Sequence, residues 1–152
     1  MGEAAPALRE VALRLLARRE HSQRELALKL RKRFPEVPKE QLEAELKALA
    51  EAGYQSDARR QASLIRQAEL RGQGPGRLDA KLRAEGLPPP ETPEDPASLE
   101  ARLAALQQQR FGGAPSDARA WQKQARFLAY RGFPQGLIRR CLGEIPWGDS
   151  GA

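Results

Sequence analysis

The chain has 152 residues, 40% apolar and 30% charged, which suits one ordinary domain or a row of small modules and excludes a large multidomain enzyme. Its 26 Lys and Arg against 20 Asp and Glu, a net charge of +6, favour nucleic acid or an acidic protein surface as partner. One cysteine and one histidine exclude a disulfide framework and a Cys/His zinc site. No run approaches the roughly 20 apolar residues of a membrane span, and the opening residues lack the basic-then-apolar order of a signal peptide, so a cytoplasmic location is expected.

Apolar residues recur at helical spacing along nearly the whole chain, and the β-branched and aromatic residues that strands favour are sparse. The fold class predicted is all-α. A first helix runs from about Ala7 to Arg19 on a stripe of Leu8, Val11, Ala12, Leu15 and Leu16. Ser22-Gln23-Arg24-Glu25 has the form of a capping box and opens a second helix with Leu26, Leu30 and Phe34 inward. Pro38 suits the first turn of a third, which carries Leu42, Leu46 and Leu49 and stops at Gly53. Ser56-Asp57 caps a fourth helix, with Ala58, Ala62, Ile65 and Ala68 inward, that ends at Gly72. Gly74-Pro75 starts a fifth, with Leu78 and Leu82 buried. Five prolines between residues 87 and 97 make a stiff polar loop. Leu99, Leu103 and Leu106 mark a sixth helix, Ser116-Asp117 opens a seventh around Trp121, Ala125 and Leu128, and Pro134 opens an eighth around Ile138 and Leu142.

Shifting the chain by 52 places Arg19 on Arg71, Leu26 on Leu78 and Leu30 on Leu82, and a further 60 places these on Arg131, Ile138 and Leu142. Ser-Asp-Ala-Arg recurs literally at residues 56–59 and 116–119 under the same second shift. The expected organisation is three tandem three-helix repeats: residues 1–55, residues 56–112 including the proline-rich loop, and residues 113–152, a truncated unit with a tail. Such units cannot bury their apolar faces alone, so stacking into an elongated crescent is expected. No heptad pattern favours a dimer, and a monomer is expected.

Catalysis has little support in the residues. His21 reads as an exposed turn residue without a second histidine, and Cys141 as a small buried hydrophobe with no neighbouring base. The glycines at 72, 74 and 76 lack the ending of a phosphate-binding loop, and no metal or cofactor site is expected. Basic residues are more informative because they are uneven. Residues 1–55 hold 11 basic against 9 acidic, residues 56–86 hold 7 against 4, residues 87–116 hold 2 against 4, and residues 117–152 hold 6 against 3. Arg77 and Lys81 share a face of the fifth helix, and Arg139 and Arg140 stand on the eighth. Arg19, Arg71 and Arg131 recur at one corner of each repeat, where they either line an edge or answer a helix dipole. Arg31-Lys32-Arg33 forms a further cationic patch, Trp121 is a core candidate, and Trp147 reads as a lid or a contact residue. The candidate partner-binding set is Arg71, Arg77, Lys81, Arg131, Arg139 and Arg140, with direct DNA binding the alternative use of the same cations.

Leu15-Leu16-Ala17-Arg18-Arg19 with Ser22–Leu26, then Gly53-Tyr54, Asp57-Ala58-Arg59, Arg71–Pro75 leading to Leu82 and Gly86-Leu87, and finally Phe127–Phe133 with Ile138, together resemble the RecX family of bacterial recombination regulators. The resemblance implies tandem three-helix units and a non-enzymatic protein of DNA repair, recombination and the SOS response. Such a protein binds the RecA filament in its helical groove and restrains ATP hydrolysis, strand exchange and co-protease activity toward the LexA repressor. The chain departs from the family pattern at Gln55-Ser56-Asp57, where an aliphatic and then acidic residues are usual. It departs again at Arg60, where an aromatic often stands, in the proline-rich loop, and in lacking a clear helix after Leu142.

Overall fold

The computed structural model of the chain describes residues 4–146; Trp147 lies outside them. The described residues form helices and no strand. In chain order these are α1 (Ala4–Arg18), α2 (Gln23–Arg33), α3 (Lys39–Glu51), α4 (Asp57–Leu70), α5 (Pro75–Ala84), α6 (Pro96–Phe111), α7 (Ala118–Tyr130) and α8 (Gln135–Leu142). Contacts divide the chain into two compact units. The first contains α1 to α3, the chain on to Leu64, and Leu82–Pro89; the second contains Ile65–Lys81 and the chain from Pro90 onward. Both α4 and α5 are thus shared between units.

In the first unit α1, α2 and α3 pack on one another around Leu8, Ala12, Leu26, Leu30, Leu42 and Leu49, the inward positions of the sequence stripes. Ser22 caps α2 as its side chain accepts from the Glu25 amide at 3.0 Å. The reciprocal half of the expected capping box is replaced, because the Glu25 carboxylate turns to the Arg19 guanidinium at 2.6 Å. Pro38 stands one residue before α3, and Gly53 takes a φ of +83° beyond its end, a conformation that glycine adopts without a Cβ penalty.

The inward face of α4 differs from the expected one. Ala58 is exposed, while Arg60, Leu64 and Ala68, spaced four apart, are buried. Periodicity over apolar residues alone omits a charged member of the stripe, and Arg60 is that member. On α5, Leu82 is 1% exposed but Leu78 is only half-buried and joins neither apolar cluster. The equivalence expected of Leu26, Leu78 and Ile138 therefore holds for the burial of Leu26 and Ile138 and fails at Leu78.

In the second unit α6, placed by sequence in the middle repeat, packs against α7 and α8 around Leu103, Trp121, Leu128, Phe133, Ile138 and Leu142. The acidic end of the proline-rich loop has a local use here. Asp95 caps α6 by accepting from the Ser98 amide, Pro96 fills the first helical position, and Glu94 receives two hydrogen bonds from Arg102, each 2.7 Å. The repeated Ser-Asp-Ala-Arg segments start their helices one residue apart. Ser56 caps α4 through the Arg59 amide, whereas Asp117 caps α7 through the Ala120 amide.

Candidate partner-binding surface

The surface is built where two helices end. After α4 the chain turns through Arg71 and Gly72, and after α7 through Arg131 and Gly132, positions related by the shift of 60. These turns dock backbone to backbone. The Gly74 amide donates to the Arg131 carbonyl at 2.7 Å and the Gly76 amide to the Gly132 carbonyl at 2.8 Å. Donors at the start of α5 thus satisfy acceptors just past the end of α7, groups that every helix terminus leaves without an internal partner. Glycine makes the approach possible. A Cβ on Gly74 would lie 2.5 Å from the Gly132 oxygen, and one on Gly132, whose φ is +98°, would lie 2.6 Å from the Arg77 amide nitrogen.

Side chains complete the joint. Arg131 donates from Nη1 to the Arg71 carbonyl at 3.1 Å, and Arg77 donates from Nε to the Tyr130 carbonyl at 2.8 Å. The Arg77 guanidinium also lies over the Tyr130 ring, 4.2 Å from its centroid, and Arg131 over Phe127 at 5.3 Å. Arg71, Arg77 and Arg131 are thereby brought to one place. Arg71 is exposed, Arg77 and Arg131 are half-buried, and Lys81 is exposed one turn of α5 beyond Arg77. Arg77, a partner-binding candidate in the sequence, has a structural duty at the joint as well.

Two residues that the charge-based reading missed stand at the same joint. Leu70 is 87% exposed and Tyr130 71% exposed, each immediately before a turn arginine and related to the other by the shift of 60. The available signal was phase: Leu70 lies off the Arg60, Leu64, Ala68 stripe, so an apolar residue there faces water. Of the two, Tyr130 beside arginine has the composition of protein interface hot spots, in which Tyr and Arg are enriched.

Arg139 and Arg140 are placed apart from this joint. Both are exposed on α8 and line an open groove with Trp121, Gly143, Glu144 and Ile145; Arg140 reaches Glu100 only at 4.0 Å. Trp121 is buried, as expected, and its indole nitrogen donates to the Gly143 carbonyl at 3.0 Å, tying down the end of α8. Arg19, the first-repeat counterpart of Arg71 and Arg131, is committed to both carboxylate oxygens of Glu25.

The two candidates for chemistry, His21 and Cys141, both sit in partly or fully buried settings. His21 is 1% exposed, which corrects the expectation of an exposed turn residue. Its Nδ1 lies 3.0 Å from the Arg19 carbonyl and its Nε2 3.0 Å from the Lys29 ammonium, so a neutral ring donates at the first and accepts at the second. Burial holds its pKa below the ordinary value, against the pull of the Arg19 carbonyl. Cys141 is half-buried, and burial, reinforced by nearby Glu100, pushes its thiol pKa up, opposite to the activation a nucleophile needs. No cluster of three His, Cys, Asp or Glu suited to a metal occurs among the described residues, and no described helix is long and apolar enough to cross a membrane.

Residues 9–37 match the first three-helix domain of RecX and residues 99–142 match its third. The chain is 41% identical over 141 residues to the regulatory protein RecX of Pseudomonas putida strain KT2440, covering 90% of this chain and 89% of that one. The chain belongs to the RecX family. Similar relatives in the family are the regulatory protein RecX of Halorhodospira halophila, 41% identical over 91% of this chain and 88% of its own, and that of Acidithiobacillus ferrooxidans, 43% identical over 88% and 87%. A crystal structure of regulatory protein RecX superposes with a TM-score of 0.69 at 24% identity, covering 92% of this chain and 73% of that chain, and shares the helical repeat fold. The segment matched to the third domain spans most of α6 with α7 and α8, the three helices that pack together in the second unit.

Proposed function

We propose that this protein is a non-enzymatic regulator that binds the RecA filament and restrains its ATPase, strand-exchange and co-protease activities in the cytoplasm. The observation that carries the reading is the docked pair of helix-ending turns, where Arg71, Arg77 and Arg131 meet exposed Leu70 and Tyr130 on a backbone fixed by hydrogen bonds. A rigid cationic and aromatic surface loses little side-chain freedom on binding, which favours a protein partner of mixed acidic and apolar character. Lys81 extends that surface along α5, and Arg139 and Arg140 supply a second basic contact on α8.

The decisive experiment is titration of the protein into a preformed RecA filament on single-stranded DNA, following ATP turnover and co-sedimentation. Saturable inhibition with co-sedimentation is expected, undiminished by excess free DNA. A second reading, direct binding of single-stranded DNA, draws on the exposed Tyr130 ring, which Arg77 covers on one side, since a base can stack on an aromatic face beside phosphate-binding cations. It requires affinity that falls steeply with salt and inhibition that free DNA relieves.

A further inference from the structure

In the first unit, away from every residue assigned above, α2 carries five basic residues against one acidic in 11 positions. Some of that charge is committed. Arg31 donates to the carbonyls of Phe34, Pro35 and Val37 and so wraps the turn into α3, and Lys29 faces His21 and Glu25. Arg24, Lys32 and Arg33 are exposed, and none has an ion-pair partner among the described residues. Arg24 and Lys32 lie four residues on either side of Leu28, so the three side chains stand on one face, about 6 Å of helix apart. Leu28 is 66% exposed at the centre. The Arg24 stem rests against Gly86, where a Cβ would come within 3.3 Å of its Cδ, so this end of the face is braced.

We infer that the outer face of α2 is an interaction surface for an acidic protein segment that presents an apolar side chain between carboxylates. Charge complementarity selects the sign of the partner, because Arg24 and Lys32 on one exposed face, with Arg33 beside them, attract carboxylate or phosphate alike. Leu28 selects the class. A nucleic-acid backbone directs charged, strongly hydrated groups at such a face and gains nothing from a leucine between the cations, whereas an acidic segment with an apolar residue buries Leu28 against it while its carboxylates reach Arg24 and Lys32. The surface stands independently of the filament reading, since it shares no residue with the joint of Arg71, Arg77 and Arg131.

The test is fluorescence anisotropy of the full chain with a labelled peptide of Asp and Glu around a central Leu, beside the same peptide with Ser at the centre and a labelled oligo-dT strand. Wild type is expected to bind the Leu peptide. Leu28→Ser is expected to weaken that binding about tenfold, near the value of burying most of a leucine. Arg24→Glu with Lys32→Glu should abolish it, and Lys39→Glu with Lys47→Glu should leave it unchanged. Circular dichroism melts establish that each variant is folded, and Leu28→Ala gives a second, milder removal of the apolar group. The inference is overturned if wild type does not bind the Leu peptide, if Leu28→Ser and Leu28→Ala bind it as wild type does, or if oligo-dT binds this face more tightly than the Leu peptide. No filament is present in the assay, so its failure leaves the RecA reading standing, and failure of the filament titration leaves this surface standing.

Discussion

Arg60 and Glu85, 25 residues apart, form a two-pronged ion pair with both hydrogen bonds at 2.9 Å and both side chains buried, at 3% and 7% exposure. Arg60 stands where the family often has an aromatic residue, so a charge occupies a core position and brings its counter-charge with it. A buried pair of this kind is costly to break and cheap to replace whole, because loss of one partner strands the other charge in a poorly solvated site. Arg60→Ala is expected to lower unfolding free energy by about 3–5 kcal/mol. Arg60→Phe combined with Glu85→Leu should lie within about 1 kcal/mol of wild type or above it. Urea melts of the two variants check this, and equal destabilisation by both would show that the pair cannot be exchanged for packing.

The joint between the helix-ending turns makes a prediction about glycine. Gly132→Ala places a Cβ in backbone at a φ of +98° and 2.6 Å from the Arg77 nitrogen, so a loss of about 2 kcal/mol or more is expected. Gly136 on α8 has nothing within 4 Å of a built Cβ, and Gly136→Ala should be neutral or stabilise by about 0.5 kcal/mol. Thermal melts of the two single variants should move in these different ways. A Gly132→Ala melt that matches wild type would mean the turns are not held in contact in solution.

His21 gives the protein a defined acid sensitivity. Its folded pKa lies below the ordinary 6.5 because of burial, so between that lowered value and 6.5 the unfolded chain holds more protons than the folded one. Stability therefore falls as pH drops from neutrality through this window and levels off, for this group, below the folded pKa. Protonation would also turn Nε2 into a donor facing the Lys29 ammonium, 3.0 Å away. Denaturant melts across the window should show the decline in wild type and a flatter profile in His21→Gln; parallel profiles would remove His21 as the cause.

Filament binding should depend on the basic residues of the second unit. Reversal at Arg77 would disturb the Tyr130 carbonyl contact as well as the surface charge, so the test uses Arg71→Glu with Lys81→Glu, with thermal melts to show that the variant is folded. That pair, or Arg139→Glu with Arg140→Glu, is expected to weaken co-sedimentation with RecA filaments at least about tenfold, or 1.4 kcal/mol. Lys39→Glu with Lys47→Glu should change it less than about twofold, because those lysines already sit beside Glu43 and Glu51 at 3.8 and 4.0 Å on a nearly neutral face. The opposite ranking would place the binding face in the first unit.

Legible in the sequence were the helices, most of their inward faces, the caps at Ser22 and Ser56, and the burial of Leu26 and Ile138. These are local properties: helical periodicity, capping and glycine stops act within a few residues, and the chain carries them wherever it packs. Which charged or polar side chains lie inside depends instead on partners distant in the chain or across a turn. His21 is buried because the Arg19 carbonyl and Lys29 satisfy its ring, and Arg60 because Glu85, in the turn just past α5, neutralises it. The same holds for the joint that gathers Arg71, Arg77 and Arg131. The shift of 60 marks its two turns as equivalent, yet equivalence in sequence does not imply contact, which depends on the bare backbones at Gly74 and Gly132 meeting at hydrogen-bond distance. Leu78 shows the converse, a residue in register with Leu26 and Ile138 that stays half-buried, since burial is settled by what packs against a position and periodicity fixes only the direction in which it points.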